Sequence, residues 1–340
     1  MSTSLVVQTS FLGDTVLTTP LLAQLANRGP VDVVTTPAAA ALLANHPAVR
    51  TLIAYDKRGA DRGLLGLWRL ARRLREARYD IALLAQGSWR SAALVLLAGI
   101  PNRIGFSTSA GRLLYTKRVA YRDDLHHAAR LLMLARPNGR EPTPAERRPS
   151  LAPGAAEREA VDAFLRARGV GEGEPLVTVA PGSVWATKRW PFYPQLARAL
   201  ADAARVVVVG SAADTPLARE IVAAAPGTLD ATGQLSLLAS AELVGRSRVL
   251  VTNDSAPMHL ASAMGTPTVA IFGPTVPDFG FGPLAPRASV VGHDTLPCRP
   301  CDRHGPQRCP LGHHRCMREL PASEVAERAR AILLNPDVLA

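Results

Sequence analysis

The sequence predicts an α/β protein built from two parallel-sheet domains. Three observations carry that prediction. Short apolar runs recur along the chain, each ending in a polar turn and followed by a run with helical spacing. Residues 136–154, RPNGREPTPAERRPSLAPG, are rich in Pro, Arg and Glu and nearly free of large apolar side chains, so they split this pattern into domains 1–150 and 151–340. With 340 residues and 47% hydrophobic content, each half can bury a core of its own.

In the first half, Ser4 to Gln8 is apolar enough for a buried strand, and Val16 to Leu25 repeats with helical spacing after a Gly-containing turn. A lone acid, Asp14, stands in that turn beside Gly13. It has two readings: an N-cap for the helix, or a carboxylate at the carboxyl edge of a parallel strand, where ligands of such sheets bind. Val31 to Thr35 and Leu52 to Tyr55 predict strands around a helix at Ala38 to Asn45. Residues 62–78, RGLLGLWRLARRLREAR, predict an amphipathic helix with Leu64, Leu67, Trp68, Ala71, Leu74 and Ala77 in register and six arginines over much of the rest. Such a helix packs on a sheet, and its cationic face suits anionic lipid or an anionic acceptor. Asp80 to Ala85, the helix Trp89 to Ala98 and the short strand 102–106 follow. Residues 107–122 read as a polar loop, before a helix opened by Asp124-Leu125-His126-His127. Adjacent histidines point to different helix faces, which argues against a shared metal.

After a helix at 155–168, the second half turns on Ala180 to Pro191, APGSVWATKRWP. The apolar run Leu176 to Ala180 leads in and a helical run, Tyr193 to Ala204, leads out. Strand, polar turn and helix N-terminus form a phosphate-holding geometry, and Lys188 adds a full charge. Only three of the 39 basic residues are lysines, and this is one of them. Strand-turn-helix units then repeat through Arg205 to Val209, Pro216 to Ala225, residues 228–236, Leu237 to Gly245, Arg248 to Thr252 and the turn Asn253-Asp254-Ser255-Ala256-Pro257-Met258-His259, to a strand at Thr268 to Phe272. Placed face to face, two such domains would bring Asp14 and the second set of turns together across a cleft.

Net charge is +11, which asks for an anionic partner. Aromatic content is 5%, with no interleaving of aromatic and basic residues for stacking bases, so nucleic acid is disfavoured. Leu5 to Val7 is too short for a secretory signal and Ala92 to Ile100 too short to span a bilayer, so a cytoplasmic protein is expected. All four cysteines, Cys298, Cys301, Cys309 and Cys316, lie in one passage with three histidines between them. That spacing is a candidate for a structural zinc; the alternatives are packed reduced thiols or a redox-sensitive pair.

Taken together, SFLGDTVLTTPLL (Ser10 to Leu22), APGSVWATKRWP and NDSAPMHLASAMGTPTVAIFGPT (Asn253 to Thr275) resemble the ADP-heptose:lipopolysaccharide heptosyltransferases, glycosyltransferase family 9. The passage CRPCDRHGPQRCPLGHHRCM (Cys298 to Met317) is similar to that of the heptosyltransferase II type. The resemblance implies a GT-B fold of two Rossmann-like domains. It implies an N-terminal acceptor domain and a C-terminal ADP-sugar domain carrying the Cys-rich loop 298–316 and a final helix. It implies inverting transfer of L-glycero-D-manno-heptose from ADP-heptose to the lipopolysaccharide inner core without a catalytic metal, at the cytoplasmic face of the inner membrane. By position it assigns Asp14 as general base and Lys188 to donor phosphate. It puts Asp254, Ser255, Ala256 and His259 along the donor site, with Gly13, Ser183, Thr187 and Leu235 as further donor-side positions. The other readings open at this point are a nucleotide-sugar epimerase and a zinc-bearing nucleic-acid-binding module.

Overall fold

The computed structural model describes residues 2–136 and 139–334, so Pro137 and Asn138 of the expected linker, and the last six residues of the expected second domain, lie outside the described residues. The chain divides into two compact units, Met1–Ala152 and Pro153–Ala340.

The first unit runs β1 (Ser4–Gln8), α1 (Leu12–Ala26), β2 (Val31–Thr35), α2 (Pro37–Leu42), β3 (Thr51–Ala54), α3 (Gly63–Glu76), β4 (Ile81–Leu84), α4 (Trp89–Leu97), β5 (Asn102–Phe106), β6 (Lys117–Val119) and α5 (His127–Met133). Its strands are parallel in the order β3-β2-β1-β4-β5-β6. Leu5, Val7 and Leu84 on one sheet face pack against Leu67 and Leu74 of α3 and Val95 of α4. Each such side chain, fully buried, contributes roughly 1.5–3 kcal/mol.

Two features depart from the sequence expectation. Helix α1 starts at Leu12 rather than Val16, so Asp14 lies inside its first turn. The segment 107–122 is not all loop: it holds a 3-10 turn, Arg112–Leu114, and β6, which pairs with β5. β6 is a short edge strand with exposed Lys117 and Arg118, a charged pattern that blunts a sheet edge and also hides the strand from apolar periodicity. The end of the expected linker is fastened down, since Ser150 donates its backbone N–H to Thr19 Oγ1 at 3.0 Å.

The second unit runs α6 (Ala155–Arg166), β7 (Leu176–Ala180), α7 (Tyr193–Leu200), β8 (Arg205–Val208), α8 (Thr215–Ala224), β9 (Leu229–Asp230), α9 (Leu237–Gly245), β10 (Val249–Asn253), α10 (Ala256–Met264), β11 (Thr268–Phe272), β12 (Ala288–Gly292), α11 (Arg315–Arg318) and α12 (Ala322–Leu334). Its parallel order, β12-β11-β10-β7-β8-β9, repeats the first unit's order with β7 in the place of β1. Both sheets therefore reverse direction beside their first strand, between β1 and β4 and between β7 and β10. Ligands of doubly wound sheets bind outside the strand carboxyl ends at that reversal.

Charge divides unevenly. Residues 1–152 hold 21 Lys and Arg against 10 Asp and Glu, while residues 153–340 hold 18 of each. All of the net +11 belongs to the first unit.

At the amino edge of the first sheet, Arg50 grips Asp32 with two hydrogen bonds of 2.9 and 2.7 Å, and Tyr79 Oη donates to the same carboxylate at 2.7 Å. Burial pushes the Asp32 carboxyl up, but the Arg50 guanidinium and Tyr79 hydroxyl outweigh it and hold it below the usual range. A depressed carboxylate contributes stability that is present above the unfolded value, near 3.9, and lost as pH falls through the folded one. Asp32→Ala is expected to cost about 1.5–3 kcal/mol near neutrality. In urea melts the gap from wild type should narrow below about pH 4; a gap independent of pH would remove the electrostatic explanation.

Candidate functional site

Asp14 occupies the third position of α1, directly after the central strand β1. The N-cap is Phe11, which makes no side-chain cap, so the N-cap reading of Asp14 does not hold. The carboxylate is mostly buried and accepts Ser10 Oγ at 2.6 Å through Oδ2, while His127 Nε2 of α5 lies 3.9 Å from Oδ1. Burial pushes the His127 imidazole below the ordinary histidine range, against the pull of Asp14 and with the push of Arg130. His126 is the N-cap of α5 rather than a helical residue, and its Nδ1 accepts Ala128 N–H at 3.2 Å. Gly13 is buried beside Asp14 in the same turn.

In the second unit the turn after β7 does not run straight into a helix. Residues Ala186–Lys188 form a 3-10 turn, and α7 begins five residues after Lys188. Lys188 is buried, and its Nζ pairs with Asp254 Oδ2 at 2.6 Å. Thr275 Oγ1 donates to the same oxygen at 2.7 Å. Asp254 follows β10, so this ion pair bridges the turns on either side of the sheet's reversal point. Asp254 is thus the counter-ion of Lys188.

Three further residues belong to this site. Asn253, fully buried, donates to Pro181 O at 2.8 Å and accepts Trp190 N–H and Tyr193 Oη at 3.2 Å each, tying the β7 turn to β10. Thr275 is the second partner of Asp254. Gly305, at φ +85°, lies where a Cβ would come within 3.2 Å of Lys188 Cε and 3.3 Å of Pro274 Cγ. Asn253 and Thr275 are the two ends of the stretch NDSAPMHLASAMGTPTVAIFGPT, whereas Gly305 carries no local signal in the sequence.

Gly305 belongs to the Cys-rich passage, which lies across the Lys188 turn. Thr187 Oγ1 donates to Pro306 O, Gln307 Nε2 to Val184 O at 3.0 Å, and His314 Nε2 to Thr187 O at 2.8 Å. Arg299 donates to the carbonyls of Phe272, Gly273 and Thr275, holding the turn that presents Thr275. Gly305→Ala is expected to destabilise by roughly 1–3 kcal/mol, from positive-φ strain and pressure on Lys188, and to weaken donor binding several-fold in calorimetry. Unchanged melting and binding would show that the passage yields freely.

The thiols themselves do not form the expected four-ligand set. Among the described residues no three His, Cys, Asp or Glu side chains are gathered to hold a metal ion, so the zinc expectation is not supported. Cys316 is buried in the core beside Met317, and burial raises its thiol to about 11. Cys301 Sγ donates to Cys298 O at 3.2 Å. Burial pushes the Cys309 thiol up, but the N–H groups of His314, Leu311, Gly312 and His313 outweigh it and hold it down.

The remaining expected positions vary in placement. Ser183 Oγ accepts Trp185 N–H in a local turn, and the Leu235 side chain packs on the core beneath α9. Ser255 is the N-cap of α10 without capping it through its side chain, Ala256 is the first helical residue, and His259 is buried one turn further on.

A sequence profile of glycosyltransferase family 9 (heptosyltransferase) matches residues 67–310. Lipopolysaccharide heptosyltransferase 2 of Escherichia coli (strain K12) is 29% identical, over 98% of this chain and 99% of its own length. Among solved structures, E. coli ADP-heptose LPS heptosyltransferase II aligns with a TM-score of 0.81 at 28% identity, covering 99% of this chain and 100% of that one. A family 9 glycosyl transferase from Veillonella parvula aligns at 0.87 over 98% of each chain, with 23% identity, a likeness of fold.

Proposed function

This chain belongs to glycosyltransferase family 9, the heptosyltransferases, and from that premise we propose that it moves L-glycero-D-manno-heptose from ADP-heptose to the lipopolysaccharide inner core, adding the second heptose. The observation that carries the reading is the buried Lys188–Asp254–Thr275 cluster at the reversal point of the second sheet. It supplies a compact cation, already desolvated, at the edge where a doubly wound sheet takes a nucleotide. The full-length similarity to heptosyltransferase 2 supports the donor and the acceptor class.

The reaction forms a bond from an acceptor hydroxyl oxygen to the anomeric carbon. It breaks the bond from that carbon to the diphosphate, whose oxygen leaves with the electron pair. Asp14 takes the hydroxyl proton from the face opposite the leaving group, so the anomeric centre inverts. Lys188 turns from Asp254 to the donor phosphates and, with the N-terminus of α10 beyond Ser255, meets the charge that develops on ADP without a catalytic metal. Asp254, released from its partner, accepts hydrogen bonds from sugar hydroxyls. Ser183, Thr187, Ala256 and His259 line the donor and Leu235 lies toward the adenine. The enzyme works as a peripheral protein at the cytoplasmic face of the inner membrane.

The test is ADP release from ADP-heptose in EDTA, with Kdo₂-lipid A and heptosyl-Kdo₂-lipid A as rival acceptors. Release is expected only with the heptosylated acceptor. Release with the other would move the enzyme to the first heptose, and none with either would reject ADP-heptose as donor.

A further inference from the structure

The first unit carries an apolar rim that its own core does not explain. Leu64, Leu65 and Trp68 in the first two turns of α3 are 74%, 78% and 56% exposed. Trp89, which opens α4, is 60% exposed, and Leu113 in the 3-10 turn after β5 is 77% exposed. These elements follow β3, β4 and β5 of one parallel sheet, so all start from its carboxyl edge, the edge that also carries Asp14 after β1.

The elements are locked side by side. Arg90 Nη2 donates to Gly63 O at 2.6 Å and its Nε to Tyr55 Oη at 2.7 Å, fixing the start of α4 against the start of α3. A Cβ on Gly111 would lie 3.2 Å from Trp89 Cα, so the 3-10 turn abuts α4 in the same way. A soluble helix places polar residues on its outward face, and contiguous large apolar side chains there mark a surface meant to be covered.

The arginines of α3, expected from the sequence to make the lipid contact, are largely engaged by the protein. Arg69 donates to Ala60 O at 3.1 Å and lies 3.9 Å from Asp61, Arg72 lies 3.5 Å from Glu76, and Arg75 donates to Leu97 O at 2.9 Å. Around the rim, Arg58, Arg62 and Arg112 are exposed, and the whole net charge of +11 belongs to this unit.

We propose that this rim inserts into the interface of a bilayer of anionic lipid, with Leu64, Leu65, Trp68, Trp89 and Leu113 entering the acyl boundary. Tryptophan is suited to that depth, its ring apolar and its N–H wet. The basic field of the first unit draws it to the negative surface, and the apolar side chains hold it there. The surface takes its purpose from the lipid-borne acceptor proposed above, but vesicle binding is read without donor or acceptor, so the two ideas fail separately.

The experiment is sedimentation of the full chain with vesicles of phosphatidylglycerol and phosphatidylethanolamine, against phosphatidylcholine alone, with tryptophan emission recorded. Wild type is expected to bind the anionic vesicles with a blue shift and to bind phosphatidylcholine weakly. Leu64→Ser/Leu65→Ser/Trp68→Ser should lower partitioning about tenfold or more, while Arg69→Glu/Arg72→Glu lowers it less. If the triple variant does not fold, Trp89→Ser serves, with a several-fold loss expected. Equal binding by the serine variants, or equal binding to neutral vesicles, would overturn the proposal. So would a lipid-free wild-type dimer that the serine variants convert to monomer, which would make the rim a contact between copies.

Discussion

Asp14→Asn is expected to slow heptosyl transfer by about 10²–10⁴-fold while leaving donor affinity within about twofold. Asparagine keeps the shape of the side chain and can still accept the 2.6 Å hydrogen bond from Ser10 Oγ, so the first turn of α1 is retained. What it loses is the capacity to take a proton. The neighbourhood offers no ready substitute, because the His127 ring is buried and 3.9 Å from Oδ1 in the wild type. Steady-state ADP release should therefore show a fall in kcat with little change in the donor KM, the pattern of an interaction made only in the transition state. A variant retaining more than about a tenth of wild-type kcat would return Asp14 to the role of a polar residue in a helix start.

Lys188→Ala carries the second large effect, with separable consequences for rate and stability. Removing a preorganised cation from a leaving group costs typically 10²–10³-fold in kcat. Removing it also strands Asp254, which is buried beside Thr275; breaking a buried ion pair from one side costs about 3–5 kcal/mol. The double variant Lys188→Ala/Asp254→Asn is expected to recover most of the stability, since no uncompensated charge remains, and none of the rate. Denaturant melts and ADP release on the three proteins resolve the two effects. Full activity in the double variant would exclude Lys188 from leaving-group stabilisation.

The strands at the centre of each sheet were legible because they are buried on both faces. Ser4 to Gln8 and Leu176 to Ala180 read as strands from their mostly apolar residues for that reason. Two edge strands were not: β6 has three residues, two of them exposed charges, and β12 is exposed or half-buried along most of its length, so neither carries an apolar run. The same division runs through the site. Asp14, Lys188 and Asp254 stood out because a charge in a turn after an apolar run needs a reason. Asn253 did not, because an asparagine in a turn is ordinary until its three hydrogen bonds to other segments are seen. Cysteine spacing showed that residues 298–316 form a unit. Its contacts with the Lys188 turn depend on backbone carbonyls and a bare glycine, which leave no pattern in spacing. The arginines of α3 were visible as charge, but their engagement by Ala60, Asp61, Glu76 and Leu97 was not.

The shared strand order has a bearing on inheritance. Each half of the chain is one plan, and in each the turn after the first strand holds a charged group, a carboxylate in one and an ammonium in the other. A gene assembled from two copies of a plan can alter one slot while the other stays fixed, because each half keeps a core of its own. On the proposed division, with the donor held by the second half and the acceptor by the first, the two preferences could drift independently, and the boundary near residue 152 would be the crossover point between them. A chimera joined there tests that history directly, since its donor should follow the second parent and its acceptor the first.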